Sequence, residues 1–211
     1  WRSLRGRRYL EAIVLPNSFK SALIPFFADI PLRVGFVGES RFGLLNILHK
    51  LNERALPLMA ERYAQLAEKP GEPIFRPLAR PRLSVDLANL LITVSRLGLD
   101  RRKPVVVFCP GAEYGPTKRW PAKHYAELAR RLAARGDAVW MIGSEEDRTI
   151  GEHVARESEG AAINLCGKTD LASAIDLMSV ADLVVSNDSG LMHVAAALAK
   201  PLIALVVNST R

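Results

Sequence analysis

Two cysteines in 211 residues, Cys109 and Cys166, are too few for a disulfide framework and have no metal-ligand spacing. Both sit in apolar, strand-like surroundings and read as buried thiols of a cytosolic protein. No apolar run reaches the ~20 residues that span a bilayer, and the opening Trp1–Arg8 has no signal-peptide pattern. Aromatic residues make up only 7% of the chain and do not interleave with basic ones. With no nucleic-acid motif present, nucleic acid ranks low as a partner. Solenoid-period repeats and low-complexity tracts are also missing. What remains is a globular composition, 49% hydrophobic and 24% charged, long enough for one large domain or two small ones.

Charge is present in quantity but unevenly placed. The formal net charge is +7, and all of it falls within residues 1–98, while residues 99–211 balance to zero. A basic first half suits an anionic partner: an acidic membrane surface or a phosphorylated or carboxylated substrate. A basic surface that serves only solubility fits the same numbers.

Hydrophobic periodicity alternates strands with helices. In the first half, strands are predicted at Ala12–Leu15 and Leu32–Val37. Helices are expected after Asn17 and Ser18 (apolar face Phe19, Leu23, Phe26, Phe27), over Leu56–Ala67, and from Ser84 or Asp86 to Gly98. In the second half the strands are Val105–Cys109, Ala138–Ile142, Ala162–Leu165, Leu183–Val185 and Pro201–Val207. Helices run from Pro121, in its favoured first-turn position, to Arg135, then over Glu145–Ser158 and Leu171–Val180, and from near Ser189. This pattern implies an α/β fold with parallel sheets covered on both faces, divided at 98/99. Ligands in such sheets sit beyond the carboxyl ends of the strands.

The loops at those ends carry the chemistry. Asn187, Asp188, Ser189 and Gly190 join a strand to a helix, placing backbone N–H groups and a positive helix end where an anion binds. By itself this stretch favours the plainer reading, a helix cap supplied by Asp188 or Ser189. After Cys109 comes PGAEYGPTKRWP, whose Gly111 and Gly115 permit close backbone approach and whose Lys118 offers a point charge to a phosphate. It is neither a Walker A loop nor a Gly-x-Gly-x-x-Gly fingerprint. In GSEED, Gly143 opens the loop, Ser144 caps, and Glu145 or Glu146 can accept from ribose hydroxyls; Glu146 and Asp147 are expected only to complement the helix dipole. In CGKTDL, Gly167 turns the chain and Thr169 or Asp170 caps. Four such loops at successive strand ends favour a nucleotide-diphosphate cleft.

The strings PGAEYGPTKRWP and VVSNDSGLMHVAAAL, with LPNSFKSALIPFF and ERYAQLA, resemble the ADP-heptose:lipopolysaccharide heptosyltransferases, nearest to the heptosyltransferase II branch. The resemblance implies a GT-B fold, two Rossmann-like domains with the acceptor on the first and the nucleotide-sugar on the second. It also implies inverting transfer of L-glycero-D-manno-heptose from ADP-heptose to the lipopolysaccharide inner core, with no cofactor and no tightly held catalytic metal. Lys118 matches the diphosphate-binding lysine. Asp188, Ser189 and Gly190 match the donor-contacting turn, and His193 a histidine on the next helical turn, where a packed core histidine is the competing reading. Glu113 matches a position near the donor phosphates; Gly143 and Glu145 complete the donor side. Asn17, Ser18 and Lys20 resemble an acceptor-side loop, with helix capping and an exposed lysine as the plainer account.

The same resemblance places the general base, an aspartate, ahead of Trp1 and further donor contacts after Arg211. Both domains are therefore expected to be incomplete, and this chain alone to be inactive or nearly so. The implied location is cytoplasmic, peripheral at the inner face of the inner membrane and held there by charge. Other GT-B nucleotide-sugar enzymes (a UDP-sugar transferase or epimerase) and a non-catalytic nucleotide-binding module are the alternatives.

Overall fold

The computed structural model describes residues 1–112 and 119–206. The chain forms two compact units, Trp1–Ala79 and Arg80–Arg211. Their boundary lies well before the expected 98/99 division. The reason is a contact between residues far apart in sequence. The helix α4 (Leu87–Arg96) belongs to the second unit because buried Asp176 accepts the Asp86 N–H at 2.9 Å and the Asn89 side-chain amide at 2.6 Å.

The first unit holds a three-stranded parallel sheet in the order β1 (Glu11–Val14), β2 (Leu32–Phe36), β3 (Ile47–His49), with the helices α1 (Arg2–Arg5), α2 (Phe19–Phe27) and α3 (Met59–Gln65). Gly35 on β2 is there for packing, because a Cβ would come 2.7 Å from Leu45 Cδ1. The expected face of α2 is not the buried one. Ala22 and Pro25 are buried, whereas Phe19, Phe26 and Phe27 are exposed. The helix predicted over Leu56–Ala67 is shorter, and of the apolar residues at its helical spacing Leu56 and Leu66 are buried while Met59 and Tyr63 are exposed. The strand β3 has only three residues and was not legible from periodicity.

The second unit is a five-stranded parallel sheet in the order β6-β5-β4-β7-β8. Its strands are β4 (Val105–Cys109), β5 (Ala138–Met141), β6 (Ala162–Asn164), β7 (Leu183–Asn187) and β8 (Leu202–Leu205). Its remaining helices are α5 (Ala122–Ala134), α6 (Arg148–Glu157), α7 (Leu171–Ser179) and α8 (Gly190–Ala197). Every residue of the central strand β4 is buried, because alternate side chains enter two cores. Val105, Val107 and Cys109 pack with Trp140, Leu177 and Val184, while Val106 and Phe108 pack with Tyr125, Met141 and Val154. The chain winds from β4 outward to β6, then returns to add β7 on the other side of β4. That reversal leaves a crevice at the carboxyl ends of β4 and β7.

Local signals set several boundaries. Asp170 caps α7 by accepting the Ser173 N–H at 2.8 Å, and Asp86 caps α4 through Ala88 and Asn89. Gly136, at φ 97°, takes the left-handed turn that ends α5. Pro121 precedes α5 as its N-cap rather than standing inside the first turn, and a 3-10 turn at Glu145–Asp147 comes before α6.

Candidate functional site

In the second unit, a cleft of about 870 Å³ opens at the β4–β7 reversal. It is bounded by the loops after β4 (Gly111, Ala112), β5 (Gly143–Asp147), β6 (Thr169, Asp170) and β7 (Ser189, Gly190). Apolar lining comes from Cys109, Ile142, Leu171, Ala174, Leu191 and Val194. This volume, lined by both apolar and polar groups, suits a ligand of nucleotide-sugar size.

The β7–α8 turn brings a helix N-terminus into this cleft. Ser189 is extended (φ −146°, ψ 171°) and stands as the N-cap, yet its side chain makes no capping bond. Its hydroxyl lies 3.4 Å from the Ser186 hydroxyl instead. The side-chain cap expected from Ser189 is therefore not formed, and the positive end of α8 meets the cleft without it. Gly190 has open space where a Cβ would stand, so its own packing does not require glycine. Asp188 is half-buried beside them. His193 is exposed, which removes the reading of a packed core histidine, and it does not line the cleft.

On the opposite side, Asp147 turns out to matter more than its expected dipole role. Its Oδ2 accepts the Ser144 N–H at 3.0 Å and the Ser144 hydroxyl at 2.9 Å, closing a capping box. A Cβ on Gly111 would stand 2.5 Å from Asp147 Cγ and Oδ1, and one on Gly143 would stand 2.9 Å from Asp147 Cβ. The two glycines thus let the β4 and β5 loops close around one carboxylate. Arg119 completes the set, 3.7 Å from Asp147 and donating to the Ala112 carbonyl at 3.4 Å. Its Nε is buried with no partner among the described residues. Arg119 was not singled out from sequence, although it directly follows Lys118.

Glu145 lines the cleft and pairs with Arg148 at 2.8 Å. Gly167, at φ 72°, is needed twice over, since a side chain there would also meet the Glu145 carboxylate. Both thiols are buried and reduced. Burial pushes the Cys109 thiol far up, and burial followed by the nearby Asp147 charge pushes Cys166 up to about 12. Neither is a nucleophile at neutral pH. Glu113 and Lys118 lie outside the described residues. Among the described residues, no group of three His, Cys, Asp or Glu side chains is placed to hold a metal ion.

In the first unit, Ser18 caps α2 by accepting the Ser21 N–H at 3.3 Å, and Lys20 is exposed. Asn17 is tied by its Oδ1 to Arg41 at 3.1 Å. Arg41 is almost fully buried and also donates to the carbonyls of Pro16 (2.9 Å), Gly38 (3.3 Å) and Phe36. Burial lowers its pKa, and the Glu39 charge opposes that shift. Glu39 and Ser40, at φ 44° and 54°, hold left-handed backbone that side chains disfavour. The strained turn lets the Glu39 carboxylate accept the Phe19 N–H at 2.9 Å. Arg41 and Glu39 thereby lock the loops after β1 and β2 together, a pairing with no local sequence signal.

Comparison with known proteins agrees with this geometry. The chain matches glycosyltransferase family 9 (heptosyltransferase) over residues 1–211. It is 47% identical over 212 residues to lipopolysaccharide heptosyltransferase 2 of Escherichia coli K12, covering 96% of this chain and 61% of that protein. Against lipopolysaccharide heptosyltransferase 2 of Salmonella typhimurium LT2 the identity is 48%, with the same coverage. The solved structure of E. coli ADP-heptose lps heptosyltransferase II superimposes with a TM-score of 0.87 at 46% identity, covering 96% of this chain and 64% of that one. The chain thus spans about three fifths of the length of these relatives. Its α/β architecture with parallel sheets is of the GT-B type, and the chain belongs to glycosyltransferase family 9, the heptosyltransferases.

Proposed function

We propose that this chain carries the nucleotide-sugar cleft and part of the acceptor side of an inverting glycosyltransferase. Its reaction moves L-glycero-D-manno-heptose from ADP-heptose to the lipopolysaccharide inner core. The observation that carries the reading is the cleft at the β4–β7 reversal, with the N-terminus of α8 opening into it. Family membership supplies the sugar and the acceptor, because the relatives are named for them. The division of labour into an acceptor domain 1–98 and a donor domain 99–211 carries over with the junction placed at 79/80, where the compact units part.

In this proposal the acceptor hydroxyl gives its proton to a general base, the aspartate that the resemblance implies, as its oxygen attacks the anomeric carbon from the face opposite ADP. Negative charge then grows on the departing diphosphate. Lys118, the Ser189 hydroxyl, the Gly190 N–H and the dipole of α8 oppose that charge, with Asp188 and His193 shaping the same turn. Electrostatic stabilisation of this kind is usually the largest catalytic contribution. Gly143 admits the ribose side and Glu145 accepts its hydroxyls, while Glu113 orients Lys118 or reaches the sugar. No resident metal is invoked. Asn17, Ser18 and Lys20 face the acceptor. The basic first unit favours the carboxylates and phosphates of an inner-core acceptor at an anionic membrane surface. Among the described residues, no helix is long and apolar enough to cross a membrane.

Calorimetric titration of the chain with ADP and UDP, alongside Lys118→Ala, tests the donor assignment. Saturable binding that prefers ADP and is lost in the variant is the expected result. Equal affinity for the two nucleotides, or binding indifferent to Lys118, refutes it. In an active full-length protein, Lys118→Ala should lower kcat more than it weakens donor binding.

A further inference from the structure

Asn187 is the last residue of β7 and is completely buried. Its amide bonds four groups. Oδ1 accepts the Trp120 N–H at 3.0 Å and the Tyr125 hydroxyl at 3.3 Å. Nδ2 donates to the carbonyl of Pro110 at 2.8 Å and that of Gly111 at 3.3 Å. The partners fix the amide's orientation, because an N–H must meet the oxygen and the carbonyls must meet the nitrogen.

These four partners flank one segment. Pro110 and Gly111 precede Glu113 and Lys118, and Trp120 and Tyr125 follow them. Building on the donor-cleft reading, we infer that Asn187 is a positioning residue. It ties Pro110 and Gly111 to Trp120 and Tyr125, the residues on either side of the stretch that carries Lys118, and acts on the donor through them. The chemistry required is narrow. One planar group must present an acceptor to one end of the segment and a donor to the other, inside a site closed to water. An ionised carboxylate supplies only acceptors and would oppose two carbonyl oxygens, while an alanine supplies neither. The same strand continues through Asp188 into Ser189 and Gly190, so one turn of chain both anchors the segment and begins α8.

Two measurements test this. The first is amide hydrogen exchange on the unsubstituted chain and on Asn187→Ala and Asn187→Asp. The Trp120 amide should be protected in the native chain. In Asn187→Ala, exchange of the Trp120 amide should rise about tenfold or more, while β5 and β6 keep their protection. In Asn187→Asp the Trp120 amide should stay protected, because its acceptor is retained. A native Trp120 amide that exchanges like an open loop overturns the inference. So does loosening in Asn187→Ala that spreads evenly over the second unit, which would mark a mere core residue.

The second measurement is an ADP-binding cycle. Asn187→Ala should weaken ADP about tenfold alone and hardly at all in a Lys118→Ala background; additive losses would show that Asn187 does not act through Lys118. If the native chain binds no ADP, the donor reading fails, and the exchange result still decides whether Asn187 anchors the segment.

Discussion

Gly111→Ala should disrupt the cleft through a residue 36 positions away, and the size of the effect follows from the geometry. The new Cβ would stand 2.5 Å from Cγ and Oδ1 of Asp147, where non-bonded carbon contacts need about 3.5 Å or more. Asp147 must therefore move by about 1 Å, which stretches both of its bonds to Ser144 beyond hydrogen-bonding range. Bonds to a charged acceptor are worth about 1.5–3 kcal/mol each when buried. The Asp147 side chain is 14% exposed and borders the cleft, so water recovers part of that loss. Lower unfolded-state entropy returns about 0.4–1 kcal/mol for glycine replaced by alanine. The net expectation is a loss of about 1–2 kcal/mol. Asp147→Ala alone should cost about 1 kcal/mol, as for a lost cap. In the Asp147→Ala background the clash disappears, so adding Gly111→Ala should cost nothing or stabilise slightly. Urea unfolding of the four proteins, followed by the fluorescence of the buried Trp140, measures the cycle. A coupling of about 1.5 kcal/mol or more is expected. Additivity within about 0.5 kcal/mol would refute the claim that Gly111 is small in order to admit Asp147.

Arg41→Met should destabilise the first unit by about 3–5 kcal/mol, because a buried set of carbonyls loses its donors. Arg41→Lys should fail to restore it, since one ammonium cannot span the guanidinium's fork; limited proteolysis near residues 15–42 reads the effect, and full rescue by lysine would contradict it. Cys109 and Cys166 should resist a thiol reagent at about pH 8 in the folded protein and react once unfolded, because burial holds both as thiols. Asp170 lies below the usual carboxylate range because it accepts the Ser173 N–H, and Asp100 is held at about 2 by Arg102. Depressed carboxylates stabilise the folded state above the unfolded pKa of about 4 and lose that contribution as pH falls through the folded value. The advantage of the native chain over Asp170→Asn in urea midpoint should therefore shrink between about pH 5 and about pH 2. A difference that stays constant with pH would show that Asp170 acts without its charge.

The sequence by itself determined the features that depend on neighbours along the chain. Strand β4 begins and ends where its apolar run does, because Val105–Cys109 lies between a proline and a Pro-Gly pair. Asp86 and Asp170 cap helices as read, since a cap needs only amides two or three residues on. The alternation of strands and helices carried the parallel α/β class, and the loop strings carried the family.

Tertiary structure alone decided the rest, and in each case the partners are distant in sequence. Asn187 meets Pro110 across 77 residues, Asp86 meets Asp176 across 90, and Arg41 reaches back 25 to Pro16. Strand β3, three residues long, exists because β2 supplies its ladder. Ser189 read as a cap because its type favours one, yet its hydroxyl turns toward Ser186. Asp147 read as a dipole partner because its contact with Gly111 forms only once the loops of two adjacent strands close on each other. Periodicity and capping act over a few residues, whereas a cleft in a parallel sheet is assembled from strand ends that only the winding of the chain brings together.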